Sequence, residues 1–310
     1  MTAPTHSLTI AGLHRIFGAD HRVIVEVARI AEAAGFDQVV LPDHVVMSAN
    51  VGPYPYGEFP YPPGDPWVEP LTTLAAIAGA TSTVRLGTGV LITPLRPAVR
   101  LAKTVATLDN LSGGRVDLGV GLGWQREEYA AAGVPWERRW GRHDDTIRAC
   151  RTLWEGRGQP VSFDSPTVSF EGIWCEPAPV QVRLPVWFGA KATPALAARL
   201  GEQGDGWLPL GRMRPDDVVA ESAVLRDAFV AAGRDPGELG IRVGLPLARA
   251  AEGASGPDVV EGFDLAASRE RVAALAEAGA TSFSAPLLPG NDTLDAIGRW
   301  LDAIAASFPR

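Results

Sequence analysis

Short apolar runs alternate with amphipathic stretches along nearly the whole chain, and that alternation predicts strands and helices in strict succession. The runs at 8–13, 37–41, 84–92, 116–121, 185–190, 241–248 and 282–288, with one more inside 204–210, read as strands. Each is followed by apolar residues at helical spacing, at 20–34, 67–80, 97–110, 142–154, 193–200, 216–232, 268–278 and 293–306. In the first helix Val23, Val27, Ile30 and Ala34 share a face and Gly35 closes it; in the last, Leu294, Ile297, Leu301 and Ile304 do the same. A short alternation at 161–163 and 167–170 reads as a hairpin inserted between these units, and residues 45–65, dense in Pro, Gly and Tyr, read as an irregular lid. Eight strand–helix pairs in order predict an α/β chain folded as a single (β/α)8 barrel spanning residues 1–310, in preference to a doubly wound sheet.

Glycine sharpens the picture around residues 84–124. Gly113 and Gly114 follow the third helix, where a left-handed cap is expected. Gly87, Gly89, Gly119, Gly121 and Gly123 lie in or just beyond strands. Glycine weakens a strand unless backbone or ligand must come close, so this cluster points to a ligand.

Composition removes several classes of function. The formal net charge of -8 and the absence of any Lys/Arg-rich run exclude nucleic acid and an anionic membrane surface as partners. Cys150 and Cys175 lack metal-ligand spacing, and the five histidines form no metal pair, so buried thiols and no metal site are expected. No GxSxG occurs, which removes a hydrolase elbow. The first residues carry no signal-like pattern and no run reaches the roughly 18 apolar residues of a membrane span, so a cytoplasmic protein is expected.

A barrel of this kind carries its ligand at the C-terminal ends of its strands. There the chain places Pro42-Asp43-His44, Gly121-Leu122-Gly123-Trp124, Gly189-Ala190-Lys191 and Trp207-Leu208-Pro209. His44, with an ordinary pKa near ~6.5, can exchange a proton at neutral pH; a loop histidine held for structure is the competing reading. Asp43 either orients that imidazole or caps the loop. The two glycine-bearing turns can cradle a phosphate, with Lys191 adding a charge, although GxGxxG is absent. Trp124 and Trp207 are placed to wall a flat heterocycle, and Tyr54, Tyr56 and Tyr61 to line a substrate entrance, with aromatic packing as the alternative.

The segments LPDHVV, VRLGTGVLITPLRPAVRLAKTVATLDNLSGGRVDLGVGLGW, WERRWGRHDDTIRACRTLWEG, PVWFGAKATPALAARL and GDGWLP resemble, in order and spacing, the bacterial luciferase-like monooxygenase superfamily. They most resemble its branch that uses the deazaflavin coenzyme F420. The resemblance implies a luciferase-like barrel whose ring cofactor lies against strand three, over a non-proline cis peptide at Gly89-Val90. It implies cofactor contacts from Leu122, Gly123, Trp124, Gly189 and Ala190, a proton-transfer role for His44, and a homodimer. In the branch's sugar-phosphate dehydrogenases a glutamate follows the strand-four turn; here Trp124 stands there, so that substrate is not carried over. Three readings stay open: an F420-dependent oxidoreductase acting on a small organic molecule, a reduced-FMN monooxygenase, and a non-catalytic flavin-binding protein.

Overall fold

The computed structural model describes residues 4–52, 54–55, 58–287 and 292–308. Among the described residues, one sheet holds eight strands of three residues or more, together with the two-residue strand Leu91–Ile92 at the end of the order: β1 (Thr5–Thr9), β2 (Gln38–Leu41), β3 (Arg85–Thr88), β4 (Val116–Gly121), β5 (Val186–Gly189), β6 (Gly206–Leu208), β7 (Gly240–Gly244) and β8 (Ser282–Pro286). They follow one another in the order β3-β2-β1-β8-β7-β6-β5-β4, and β3 also pairs with β4. That cyclic order, with helices between the strands, is the (β/α)8 barrel. The chain divides into two compact units, one comprising residues up to Val40, Thr83–Arg85 and residues from Ala190 on, the other Leu41–Ser82 and Leu86–Gly189.

In the first unit β1 sits beside β8, with Leu8 opposite Ala285, and beside β2, with Leu8 opposite Val39. β7 joins β8 and β6 in parallel register. Leu8, Val39, Ile241 and Phe283 are fully or almost fully buried, as strands covered on both faces require. The first strand runs earlier than the predicted 8–13, because Gly12, at φ 74°, turns the chain into the one-turn helix His14–Phe17. The seventh strand stops at Gly244, short of 248. Pro246, two residues on, has no N–H to give a ladder, and Ala248–Arg249 instead joins an antiparallel patch with Val259–Val260 and Phe263–Asp264. Two-residue strands are too short to leave a period in the sequence. The predicted end of the eighth strand at Leu288, and the Pro289-Gly290-Asn291 turn after it, lie outside the described residues.

The second unit carries the candidate site. β4 pairs with β3 (Leu86 opposite Val116), with β5 (Leu118 opposite Val186) and with a two-residue strand, Leu91–Ile92 (Leu91 opposite Val120). The single strand predicted over 84–92 is therefore two, parted by Gly89-Val90, whose peptide bond is cis. Helix Ala98–Ser112 begins after Pro97 and ends on Gly113 in the left-handed conformation. It packs on helix Arg139–Glu155, where Trp154 Nε1 donates to the Ala102 carbonyl at 3.0 Å and the buried Cys150 thiol to that of Ala98. Burial pushes the Cys150 thiol pKa upward, so this cysteine packs and does not react. The 161–173 hairpin forms as Val161–Asp164 against Ser169–Ile173. Helix Pro70–Ala80 starts later than the predicted 67, capped by the Glu69 side chain on Thr72 N, and the described residues from Pro42 to Glu69 contain neither helix nor strand. No metal-binding cluster is found among the described residues, and no helix is long and apolar enough to cross a membrane.

Candidate functional site

Pro42 ends β2, and the next two residues turn in the second unit towards different partners. The Asp43 carboxylate accepts from the Ile92 backbone N–H at 2.8 Å and from both terminal nitrogens of Arg96, at 2.6 and 3.0 Å. A bidentate guanidinium fixes a carboxylate in plane as well as in position. Burial works to lower the Arg96 pKa, but the facing Asp43, with Glu69 beside it, carries the net shift upward. Asp43 thus bolts the turn after β2 to the Leu91–Ile92 strand.

His44 is oriented by a residue the sequence did not single out. Its Nδ1 lies 3.2 Å from Oε2 of Glu128, whose side chain is fully buried, and Glu128 Oε1 accepts from the Val45 N–H at 2.7 Å. A carboxylate can only accept, so the imidazole donates from Nδ1, and the neutral ring carries its lone pair on Nε2. No described residue bonds to Nε2, which leaves that nitrogen as the atom available to exchange a proton. One turn upstream, Gln125 Oε1 accepts from Ser48 N at 3.1 Å. The segment starting helix Arg126–Ala131 therefore clamps residues 44–48 at two points. Glu128 thus places an acid beside His44 four residues after Trp124, on the buried face of that helix.

The glycines have specific tasks. A Cβ on Gly121 would lie 2.5 Å from Val90 Cγ2, and one on Gly189 2.5 Å from Val90 Cγ1. The ends of β4 and β5 are thus bare so that Val90, just past the cis bond, can wedge between them. That is close packing of protein on protein, and the Val90 wedge accounts for the missing side chains at both positions. Gly123 has φ +69°, and its Cβ would sit 2.9 Å from Ile92 Cδ1, so conformation and space both demand glycine there. The preceding carbonyl, Leu122 O, accepts from the Tyr129 hydroxyl at 2.5 Å. Burial raises the pKa of that phenol well above its ordinary value and keeps it a donor.

Trp124 follows this turn and enters a cluster of rings around His44. Centroids lie 4.8 Å from His44 to Trp67, 5.9 Å to Phe59 and 6.1 Å to Trp124. Tyr54 packs on Trp124 and Tyr61 on Trp67, each at 5.1 Å. Tyr56 lies outside the described residues. Phe59 carries no signal in the sequence because it sits in an irregular loop, and Trp67 reads there as a packing residue that opens a helix. His143 is fully buried, its Nδ1 2.5 Å from Thr93 Oγ1 and its ring edge-on to Phe188, a packing role between helix Arg139–Glu155 and the turn after Ile92.

Ala190, Lys191 and Trp207 belong to the other unit. There the Ala190 carbonyl accepts from Trp207 Nε1 at 2.8 Å, Trp207 is fully buried as a core residue, and Lys191 is exposed just before helix Pro194–Gln203.

Against known proteins, the model for the luciferase-like monooxygenase family matches residues 6–255. An uncharacterised protein of Mycobacterium tuberculosis is 35% identical over 218 residues, covering 67% of this chain and 74% of its own. Among solved structures, an F420-dependent secondary alcohol dehydrogenase bound to an F420-acetone adduct superposes with a TM-score of 0.77 at 17% identity, covering all of both chains. A monooxygenase from Streptomyces bottropensis gives 0.76 at 20% identity, over 97% of this chain and 98% of its own. The last two likenesses speak for the fold.

Proposed function

Since the chain belongs to the luciferase-like monooxygenase family, we propose that it is an F420-dependent oxidoreductase that moves a hydride between the deazaflavin and a small organic substrate. The observation that carries this reading is the buried His44–Glu128 pair, 3.2 Å apart. Exchange of a carbonyl and an alcohol needs a proton given or taken at oxygen as the hydride moves, and His44 Nε2 is held by Glu128 in the state to do so.

The residues present fit a planar ring cofactor. Val90, wedged between the bare ends at Gly121 and Gly189, is half-exposed and Gly89 before it exposed, and the Leu122-Gly123-Trp124 turn that follows β4 is half-exposed as well, which leaves main chain and the flat Trp124 indole open to a ring. Gly89, Val90, Leu122, Gly123, Trp124 and Gly189 would hold the cofactor. When bound, a deazaflavin supplies a carbon centre that gives or takes a hydride. His44 holds the accompanying proton at Nε2, Glu128 orients the ring, and Trp67 and Trp124 exclude water from it.

The test is turnover without oxygen. Reduced F420 and a panel of ketones, mixed anaerobically with the protein, should regenerate the absorbance of oxidised F420, and His44→Ala should abolish that return while cofactor binding persists. Turnover that requires oxygen and reduced FMN would overturn the reading in favour of a monooxygenase. Cofactor binding with no turnover on any substrate would favour a binding protein.

A further inference from the structure

Phe59 occupies an unusual place. Its ring centroid lies 5.9 Å from His44, 5.0 Å from Tyr54, 5.7 Å from Tyr61, 6.3 Å from Trp67 and 5.1 Å from Trp124. Five rings thus surround one phenyl group, most at the steep angles that edge-to-face contact prefers. Phe59 is itself half-buried, on a stretch with no helix or strand to fix it. The surroundings are those of a phenyl-sized site beside the proton-exchanging histidine, filled by the chain's own phenyl.

Two buried donors beside these rings have no acceptor among the described residues. One is Trp67 Nε1, on the ring nearest to His44; the other is Nε2 of Gln125, a side chain 2% exposed and adjacent in sequence to Trp124. Unmatched buried donors are costly, and a ligand oxygen satisfies them. Charge narrows the choice further. Asp43 is matched by Arg96, and Glu128 by His44 and the Val45 N–H, so the charged groups here are spent on one another. An anion would find no counter-charge in this set. A quaternary ammonium needs ring faces converging on a void, whereas only Trp67 is stacked on Phe59 and the other four rings stand tilted or edge-on to it.

We infer that the substrate is an uncharged aryl ketone, or the matching secondary alcohol, whose aromatic ring takes the place of Phe59 and whose oxygen accepts from Trp67 Nε1 within reach of His44. This rests on the reading of the site as a carbonyl–alcohol oxidoreductase, but binding can be tested apart from it.

The experiment is calorimetric titration of the full chain, with and without F420, with acetophenone, cyclohexyl methyl ketone, benzoate and phenyltrimethylammonium. Acetophenone should bind at least about tenfold more tightly than the other three, the scale set by one lost hydrogen bond or aromatic contact. Trp67→Phe keeps a ring and removes the N–H, and should weaken acetophenone about five- to tenfold while leaving ethylbenzene unchanged. Phe59→Ala removes the internal competitor and should tighten acetophenone severalfold, whereas a ring needed only for packing would loosen it. Equal or tighter binding of benzoate or the ammonium ion, an unaffected Trp67→Phe, or weakened binding in Phe59→Ala would each overturn the inference. If acetophenone binds and neither F420 nor FMN does, the cofactor reading fails and the aryl site stands; if F420 binds and acetophenone does not, the aryl site fails and the cofactor reading stands.

Discussion

Glu128 and Glu127 are neighbours of identical chemistry with opposite fates, one fully buried against His44 and the other exposed. A buried carboxylate is tolerated where N–H donors meet it, and here the imidazole and the Val45 amide do so. Glu128→Gln preserves the shape but can present an amide N–H to Nδ1 and so select the wrong tautomer. We expect turnover to fall by about 10²-fold or more, with F420 affinity within about threefold of wild type. Matched losses in kcat and cofactor affinity would instead assign Glu128 to folding of the loop. The histidine itself was legible in the sequence, because it follows a strand that ends at a proline and precedes a long loop. Its partner was not: the pairing joins positions 84 residues apart, and nothing local distinguishes Glu128 from Glu127. Asp43 was legible as a site residue, yet its contacts with Ile92 and Arg96 required the fold to be seen.

At the scale of elements, the end of β4, the end of β5 and the Gly89-Val90 bulge form one packing unit. Gly121→Ala would press a methyl against Val90, a β-branched side chain with little rotameric freedom. Urea unfolding should report a loss of about 1–3 kcal/mol, with much of it restored in the Gly121→Ala/Val90→Ala double variant. An undiminished penalty in the double variant would contradict the wedge. These glycines stood out in the sequence because strands rarely carry them, but what they make room for could not be read there.

The hairpin offers a second element-level test. Asp145 accepts from Thr167 Oγ1 at 2.7 Å and from Arg148 at 2.6 Å, joining helix Arg139–Glu155 to the turn between Val161–Asp164 and Ser169–Ile173. Burial works to raise its pKa, but the bonds from Thr167 and Arg148 hold the net value below the ordinary 3.8. A depressed acid stabilises the fold above the pKa it has when unfolded, and that contribution is lost as pH falls through the lower, folded value. Asp145→Asn should therefore be less stable than wild type by about 1–2 kcal/mol at pH 7, and the gap should close as pH drops below about 3.8. A gap independent of pH would mean the carboxylate charge plays no part.

For the whole molecule, eight apolar runs in alternation with eight amphipathic helices were enough to give the barrel, since that pattern repeats over hundreds of residues and tolerates errors at element ends. Errors did occur where local chemistry outweighed pattern: Gly12 ended β1 early, Pro246 stopped β7, and the Gly89-Val90 bulge divided one expected strand into two. The aromatic enclosure of His44 lay beyond the reach of periodicity, because the described residues between 54 and 67 form neither helix nor strand. The family sets the chemistry as redox, and choosing between deazaflavin and flavin falls to direct binding. Oxidised F420 and FMN should be titrated into the purified protein under identical conditions. The account predicts that F420 binds at least about tenfold more tightly than FMN, a difference of about 1.4 kcal/mol, and that His44→Ala leaves that preference in place. Tighter binding of FMN would contradict it and make oxygen-dependent monooxygenation the leading reading of the site.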